Sequence, residues 1–348
     1  MPLPFVLGTA CIVTAFRTVI KVPPAPFSMA ASSSSLFLGS CFAEHIGERL
    51  RLGSLAARVN PAHGILFNPV SIARALERIV RAEPYGVQDL HPCALDPDRL
   101  VSFEHSSRFG GRKGVAAELV RINTALATAH AHLLECDALF LTLGTAWAFT
   151  RAGEVVANCH KQPASIFSRR LVGADEITAA LDLALEAAWA VRPELRVVLT
   201  ISPVRHWKDG PIENSHSKAT LVVAAHALAG RHGGGRVGYF PAYELMMDEL
   251  RDYRFYTADM LHPSDTALEY IFEAFSGAYL GSDALARVHA VQSVRRAAQH
   301  RPMDAGSVAL SQFAVGQLLE IEKLVGKWGP NVADALAGES QHFERMRK

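Results

Sequence analysis

The sequence lacks the cysteine pattern, the block of like charge and the long hydrophobic run that mark several classes of protein. Its cysteines number five, an odd count, and no two have C-x-x-C spacing, so neither a disulfide framework nor a zinc knuckle is predicted. A reducing, cytoplasmic compartment is the simplest expectation. The net charge is +1, without a long basic or acidic block, so we expect no nucleic-acid partner.

The amino-terminal residues 1–15 are mildly apolar but too few to span a bilayer. No lysine or arginine precedes them, which is atypical of a secretory signal, although a signal segment stays open as an alternative. We expect residues 1–15 to form an unstructured extension. No other apolar run approaches membrane length, so no membrane partner is expected.

Apolar residues make up 49% of the chain and supply material for a large core. They fall into short runs, each followed by a loop and then by a stretch with helical spacing. This alternation predicts a parallel sheet covered by helices on both faces. The strand candidates are residues 36–38, 55–59, 138–143, 196–201 and 237–243.

The helical stretches lie between these strands and after the last of them. They reach Leu50 and then cover residues 69–80, 119–133, 177–189, 214–230 and a run from Ser264 onward. The segment 81–114, rich in Pro, Gly, Asp and His, predicts a long irregular excursion that is functional or mobile. Beyond residue 286 only helical patterns occur, and we expect these helices to pack on the main domain or on a partner subunit. The predicted division is a main domain at 16–285 and a helical extension at 286–348.

Polar residues that follow the predicted strands are the candidates for a site, because open parallel sheets bind ligands beyond the carboxyl ends of their strands. These residues are Ser40, Gly64, Gly144, Thr145, Trp147, Ser202, Arg205, His206, Asp259 and His262. A serine at a strand-to-helix turn presents its hydroxyl beside helical N–H groups that stabilise an anion. His262 can act as the base for Ser40, and Asp259 can hold the imidazole in one tautomer. Ser40 could instead simply cap the following helix.

These residues resemble the GSCFA family, which is named for the pentapeptide at residues 39–43 and is related to the GDSL/SGNH hydrolases. The resemblance extends over about residues 16–285. The similar segments are 16–18, 60–69, 142–147, 158–161, 202–206, 217–218 and 253–264. The resemblance implies a flavodoxin-like SGNH-hydrolase fold, a three-layer α/β/α structure with a parallel sheet of about five strands, followed by a C-terminal helical extension.

The same resemblance implies a catalytic triad of Ser40 as nucleophile, His262 as base and Asp259 as the orienting acid. In SGNH enzymes the oxyanion hole combines the N–H of the nucleophile, a glycine N–H after the second strand and an asparagine side chain after the third. Ser40 and Gly64 match the first two, with one residue more than expected before Gly64.

The third oxyanion donor is missing from its expected place, because Gly144 is followed by Thr145 and not by asparagine. Thr145, through its hydroxyl or its N–H, or Asn158 from the following loop are the candidates to replace it. Loss of one oxyanion donor slows an enzyme by about 10²–10³-fold, so this departure bears on both the efficiency and the class of the reaction.

Cys41 is an alternative nucleophile, since a helix N-terminus lowers a thiol pKa, although the residue after such a turn more often packs inward. The predicted substrate contacts are Trp147, Asn158, His160, Arg205 and His206. His160 and His206 would bind an anion or, in the competing interpretation, make hydrogen bonds within buried loops. Arg205 and His206 could position an acidic or phosphorylated acyl carrier. No metal ligand set is convincing, and no cofactor is expected.

The sequence therefore predicts a serine acyl hydrolase that acts on a carboxylic or carbohydrate ester through an acyl-enzyme, with O-acetyl esters among the candidates. The alternatives are an O-acyltransferase that uses the same triad and a non-catalytic binding protein with the SGNH fold. The expected partner is a small-molecule or carbohydrate ester. Association into a homo-oligomer through the C-terminal helices is a further option.

Overall fold

The computed structural model describes residues 17–233, 235–299 and 307–347. The predicted extension at 1–15 lies outside these residues. The strands are β1 (Ser34–Gly39), β2 (Ala56–Val59), β3 (His91–Cys93), β4 (Asp96–Val101), β5 (Ala138–Leu143), β6 (Trp147–Arg151), β7 (Glu154–Val156), β8 (Ser168–Leu171), β9 (Arg196–Ile201) and β10 (Val237–Phe240).

The helices extend the predicted helical stretches by a few residues and add short turns between them. They are α1 (Cys41–Leu52), α2 (Pro69–Arg81), α3 (Val115–Glu135), α4 (Ala174–Val191), α5 (Pro211–Arg231), α6 (Ala242–Glu244), α7 (Asp265–Tyr279), α8 (Ser282–Gln299), α9 (Val308–Trp328), α10 (Pro330–Ala335) and α11 (Ala337–Arg347). A π-helical turn at Leu245–Glu249 continues α6.

The main sheet has five parallel strands in the order β10-β9-β5-β1-β2. Numbered along the chain, this is the order 2-1-3-4-5 that is typical of flavodoxin-like sheets. All five predicted strands are therefore confirmed. The last strand ends at Phe240, before the predicted residue 243, because Pro241 has no N–H to donate to the ladder.

Helices cover both faces of the main sheet and give it three layers. Leu36, Leu139 and Leu199 face one core, which α2, α3, α4 and α5 close. Phe37 and Phe140 face the other core, closed by α1, α7 and α8, and their rings stack with centroids 4.5 Å apart. Successive strand residues thus enter different cores, which explains why these strands are apolar throughout.

Two small antiparallel sheets lie outside the main sheet. Strands β3 and β4 form a hairpin within the segment 81–114, which the prediction of an irregular excursion did not include; most of the remaining segment consists of turns, bends and irregular structure. Strand β6 pairs with both β7 and β8 in a three-stranded sheet that follows β5. Strands β4 and β8 are rich in polar residues, and β3 and β7 are only three residues long, so none of them contains an apolar run long enough for strand prediction.

The C-terminal helices share a third core, and α8 joins it to the sheet domain. Val288 on α8 packs in the core of the sheet domain, whereas Val291 and Val294 pack against α9 to α11. The Arg287 guanidinium donates to Ser54 Oγ at 2.7 Å. The predicted boundary at residue 286 falls inside α8. No helix among the described residues is long and apolar enough to cross a bilayer.

Candidate active site

The strand order reverses between β1 and β5, and open sheets bind ligands at such a point, beyond the carboxyl ends of the strands. Ser40 follows β1 and Gly144 follows β5, so both lie at this edge. Gly39 permits the close approach of the two strands. Its φ is +134°, and an added Cβ would lie 2.2 Å from the carbonyl oxygen of Thr142. No other residue fits before Ser40 without displacing β5.

Ser40 occupies the N-cap of α1. Its Oγ accepts a hydrogen bond from the Phe42 N–H at 3.3 Å, and its side chain is fully buried. The capping role that the sequence left open is therefore present. Capping and nucleophilic attack do not exclude each other, since the cap holds Oγ next to the helical N–H groups.

Cys41, the alternative nucleophile, is less buried than Ser40, contrary to the expectation that it packs inward. Burial is the main cause that raises the pKa of its thiol, followed by the charge of Glu44. The nearby N–H groups at the start of α1 and the charge of Lys218 oppose these effects without overcoming them. A neutral thiol is a poor nucleophile, so this environment does not favour a thiol mechanism.

Asp259 and His262 form a hydrogen-bonded pair in the loop before α7. Asp259 Oδ2 lies 2.6 Å from His262 Nδ1, and Oδ1 accepts from the N–H groups of Leu261 and His262 at 2.8 and 3.0 Å. The Thr257 hydroxyl also donates to Oδ1, at 2.7 Å. The two backbone N–H groups are the main cause that lowers the Asp259 pKa below its ordinary value. The ionised carboxylate can only accept, so Nδ1 carries the proton and Nε2 remains available as a base.

The Asp259–His262 loop is attached to the loop that follows β9, because the Arg205 N–H donates to the Leu261 carbonyl at 3.2 Å. Burial is the main cause that lowers the pKa of His45 on α1 and the pKa of His206. The charge of His262 is one of the smaller causes at both residues. His262 is about half exposed, and no hydrogen bond joins it to Ser40 within the described residues. Such nucleophile–base bonds often tighten only when substrate binds.

A cavity of about 370 Å³ lies beside the carboxyl ends of β5 and β9. Four of the predicted site residues line it, together with four aromatic or cationic neighbours: Thr145, Trp147, Asn158, His206, Phe67, Phe149, Arg169 and Lys208. Arg205 lines a separate cavity of about 310 Å³ on the side of the Asp259–His262 loop, with Met247, Tyr256 and Met260. The structure thus divides the predicted substrate contacts between two openings.

The three predicted oxyanion donors all give their N–H groups to backbone carbonyls. Ser40 N–H donates to Thr142 at 3.1 Å, Gly64 N–H to Asn60 at 3.3 Å and Thr145 N–H to Phe67 at 3.1 Å. The Thr145 hydroxyl lies 3.0 Å from Ser217 Oγ and accepts the Trp147 N–H. Both the N–H and the hydroxyl of Thr145 therefore already have partners within the protein, which does not match the predicted role of an oxyanion donor.

Gly64 is fixed by its surroundings, since its φ is +72° and an added Cβ would lie 2.2 Å from the Ser106 hydroxyl. Its neighbour His63 belongs to a buried cluster with Tyr85 and His105, in which His63 Nε2 lies 2.7 Å from the Tyr85 hydroxyl. The Gly64 backbone is thus held from both sides.

His160 lies in neither cavity. Its Nε2 lies 2.7 Å from the Ser102 carbonyl and 3.1 Å from that of His105, inside the buried loops. His160 is therefore placed as a histidine that makes hydrogen bonds within buried loops and not as a substrate contact. Asn158, by contrast, lines the larger cavity while its Oδ1 accepts the His160 N–H.

His206 faces the larger cavity, and its Nε2 is buried without a hydrogen-bond partner among the described residues. Burial, helped by the charge of Lys218, lowers the His206 pKa to about 3, so the ring is neutral at physiological pH. A neutral imidazole nitrogen can exchange a hydrogen bond with a ligand hydroxyl but cannot supply a positive charge to an anion.

The first turns of α5 carry a buried polar stripe that the sequence-based reasoning missed. The Asn214 side chain accepts the His206 N–H, and Ser217 Oγ accepts the Ala146 N–H. Lys218 is buried and donates to the carbonyls of Gly144 and Ser202 at 2.7 and 2.6 Å. The spacing i, i+3, i+4 at the start of a helix was a signal available in the sequence. This stripe ties together the loops that follow β5 and β9.

Comparison with known proteins gives one strong match. The GSCFA family model matches residues 34–275, which is more than half of the chain. A carbohydrate esterase of family 3 from Talaromyces cellulolyticus is a distant structural neighbour with 13% identity and a TM-score of 0.31, over 70% of this chain and 95% of that one. A likeness this weak carries no argument, and no curated protein matches the chain. From the extent of the family match, this protein belongs to the GSCFA family.

Proposed function

We propose that this protein is a serine ester hydrolase, related to the SGNH enzymes, in which Ser40 is the nucleophile, His262 the base and Asp259 the orienting acid. The observation that carries the proposal is the Asp259–His262 pair, 2.6 Å between Oδ2 and Nδ1, in a loop attached to the site edge through Arg205. Asp259 is held ionised by its donors, which is the state needed to orient a histidine base.

The reaction begins when His262 Nε2 takes the proton of Ser40 Oγ while Oγ forms a bond to the ester carbonyl carbon. The carbonyl electron pair moves to oxygen and gives an oxyanion. When the carbonyl reforms, the bond to the alcohol oxygen breaks, and His262 protonates the departing alcohol. A water molecule then repeats these steps on the acyl-enzyme, which releases the carboxylic acid and returns the proton to Ser40.

A carbohydrate ester is the proposed substrate class, because the larger cavity combines aromatic rings with neutral polar groups, beside Lys208 and an Arg169 that is already paired with Asp209. Trp147 and Phe149 contribute aromatic rings, against which the cationic side chains of Arg169 and Lys208 lie. Asn158 and His206 contribute hydrogen-bonding groups for hydroxyls. Sugar rings suit this mixture, since their C–H faces pack on aromatic rings and their hydroxyls need directed partners.

A non-catalytic binding protein is the second candidate. The observation that favours it is the complete burial of the Ser40 side chain, whose Oγ already serves as the cap of α1. In this case the cavity beside β5 would bind a ligand without chemistry at Ser40.

Covalent labelling with a fluorophosphonate, read by peptide mass spectrometry, tests the proposal. We expect a label on Ser40 that is lost in Ser40→Ala and in Ser40→Gly, and hydrolysis of p-nitrophenyl acetate that is lost in the same variants. The glycine variant serves as the control for stability, because glycine replaces a serine cap at a cost of a few tenths of a kcal/mol.

The matched variant Cys41→Ala should keep both the label and the hydrolysis. Loss of activity in Cys41→Ala alone would make the thiol the nucleophile. An unlabelled Ser40 in protein shown to be folded would contradict the hydrolase and favour the binding protein.

A further inference from the structure

Asn60 links the Ser40 turn to the Gly64 loop. It follows β2 with φ +45°, and its N–H donates to the Phe37 carbonyl at 2.8 Å. Its side-chain Oδ1 accepts the Gly39 N–H at 2.9 Å, and its own carbonyl accepts the Gly64 N–H at 3.3 Å. The carboxamide is therefore held against the residue that immediately precedes Ser40.

The other end of this carboxamide is unusual. Asn60 is 6% exposed, and its Nδ2 is buried without a hydrogen-bond partner among the described residues. A buried donor without an acceptor destabilises the folded state, so each such group calls for an explanation. Because Gly39 requires an acceptor, Oδ1 must face Gly39, and Nδ2 keeps both of its N–H groups for another acceptor.

The site needs such a donor. The N–H groups of Ser40, Gly64 and Thr145 all donate to backbone carbonyls, and no asparagine follows Gly144. Negative charge nevertheless develops next to Ser40 when its Oγ attacks an ester carbonyl. A donor held in advance in a site without water stabilises that charge without having to reorganise.

We propose that Asn60 Nδ2 donates to the oxyanion formed at Ser40 and so replaces the asparagine expected after the third strand. This inference rests on the proposed hydrolase function, since it assigns a role in the reaction of Ser40. The asparagine that serves the site follows the second strand of the sheet and not the third.

The test compares Asn60→Asp, Asn60→Gly and the control Asn123→Asp. Aspartate keeps an acceptor for the Gly39 N–H but removes the Nδ2 donor. Glycine tolerates the positive φ and removes both. Asn123 also accepts a backbone N–H and donates to a backbone carbonyl, both of Tyr85, but it lies on α3 away from Ser40. The readouts are the rate of fluorophosphonate labelling at Ser40, kcat/KM for p-nitrophenyl acetate and the melting temperature.

We expect Asn60→Asp and Asn60→Gly each to lower kcat/KM by about 10²-fold or more in folded protein, and Asn123→Asp to stay near the wild-type rate. Wild-type rates in Asn60→Asp would overturn the inference, because neither the loss of the Nδ2 donor nor the added carboxylate charge would then have affected the oxyanion. A folded wild type that leaves Ser40 unlabelled would instead overturn the hydrolase itself, and the role of Asn60 with it.

A measurement on the wild type makes the test independent of how the variants fold. In ¹⁵N-labelled protein, the Asn60 side-chain amide protons should shift downfield when Ser40 carries the phosphonyl group, whose oxygen occupies the position of the oxyanion. An Asn60 side-chain resonance that does not move on labelling would overturn the inference.

Discussion

Lys218 should make the stability of this protein depend on pH above neutrality. Its side chain is fully buried, and no ion pair in the described part of the chain includes it. Its partners are the carbonyls of Gly144 and Ser202, and the charged or ionisable groups facing it include Cys41 and His206, with the ring of Tyr243 nearby. Replacing Lys218 with methionine removes the charge at similar length.

The expected magnitude follows from the pKa of Lys218, which burial lowers from 10.5 to about 7. Between these two values the unfolded chain holds the lysine proton and the folded protein has released it. The unfolded state then binds more protons, so the free energy of unfolding rises with pH. The destabilisation is complete below pH 7 and is relieved as the pH approaches 10.5. From pH 7 to pH 9 the gain is about 2 kcal/mol.

Urea unfolding of the wild type and of Lys218→Met at pH 7, 8 and 9 measures this gain. The stability of the wild type relative to the variant should rise by about 2 kcal/mol across the range, because the shared groups that do not interact with Lys218 cancel in the difference. The lost hydrogen bonds to Gly144 and Ser202 add an offset that does not change with pH. The exposed Lys113, changed to methionine, is the matched control and should show no such slope. A constant difference between wild type and Lys218→Met would refute the reasoning, because Lys218 would then stay charged at pH 9.

Three further changes give defined outcomes. Gly39→Ala should destabilise the protein by at least about 2 kcal/mol, since its Cβ would meet the Thr142 carbonyl at a positive φ; an unchanged urea midpoint would contradict this close approach. Asp259→Asn should lower kcat for p-nitrophenyl acetate by about 10⁴-fold without a change in melting temperature, because an amide cannot hold the same His262 tautomer. A wild-type kcat in this variant would remove Asp259 from the mechanism. Between pH 7 and pH 4, the wild type should lose about 3 kcal/mol more stability than His206→Gln. The reason is that the unfolded histidine takes up its proton near pH 6.5 and the folded one near pH 3. Equal losses would mean that His206 is protonated in the folded state.

The order of strands and helices could be predicted from the sequence because it depends on local spacing of apolar residues. Strand β5, residues 138–143, is apolar at every position but one and is buried along its whole length, as expected for a parallel strand covered on both faces. The small sheets could not be found in this way. Strand β4 contains Asp96, Asp98 and Arg99, and it becomes a strand because it pairs with β3 and, at Leu100, with Gly111.

The candidate site likewise has features that the sequence predicts and features that it does not. Ser40, Asp259 and His262 could be selected because each follows a predicted strand or precedes a predicted helix, and the Asp259–His262 bond spans only three residues. The hydrogen-bond partners of the predicted oxyanion donors could not be predicted, since a backbone N–H looks the same in the sequence whether it is free or bonded. The Thr145 N–H, for example, donates to the carbonyl of Phe67, a residue on a different loop.

The sequence by itself therefore determined the family and the alternation of strands and helices, and it supplied Ser40, Asp259 and His262 as candidates, because all of these depend on residue type and short-range spacing. Only the tertiary structure decided that His160 is buried among loops, that Lys218 joins two strand ends and that Asn60 accepts the Gly39 N–H while its Nδ2 has no partner among the described residues. These features arise where segments far apart in the chain compete for the same hydrogen bonds, and folding settles which groups remain for a ligand.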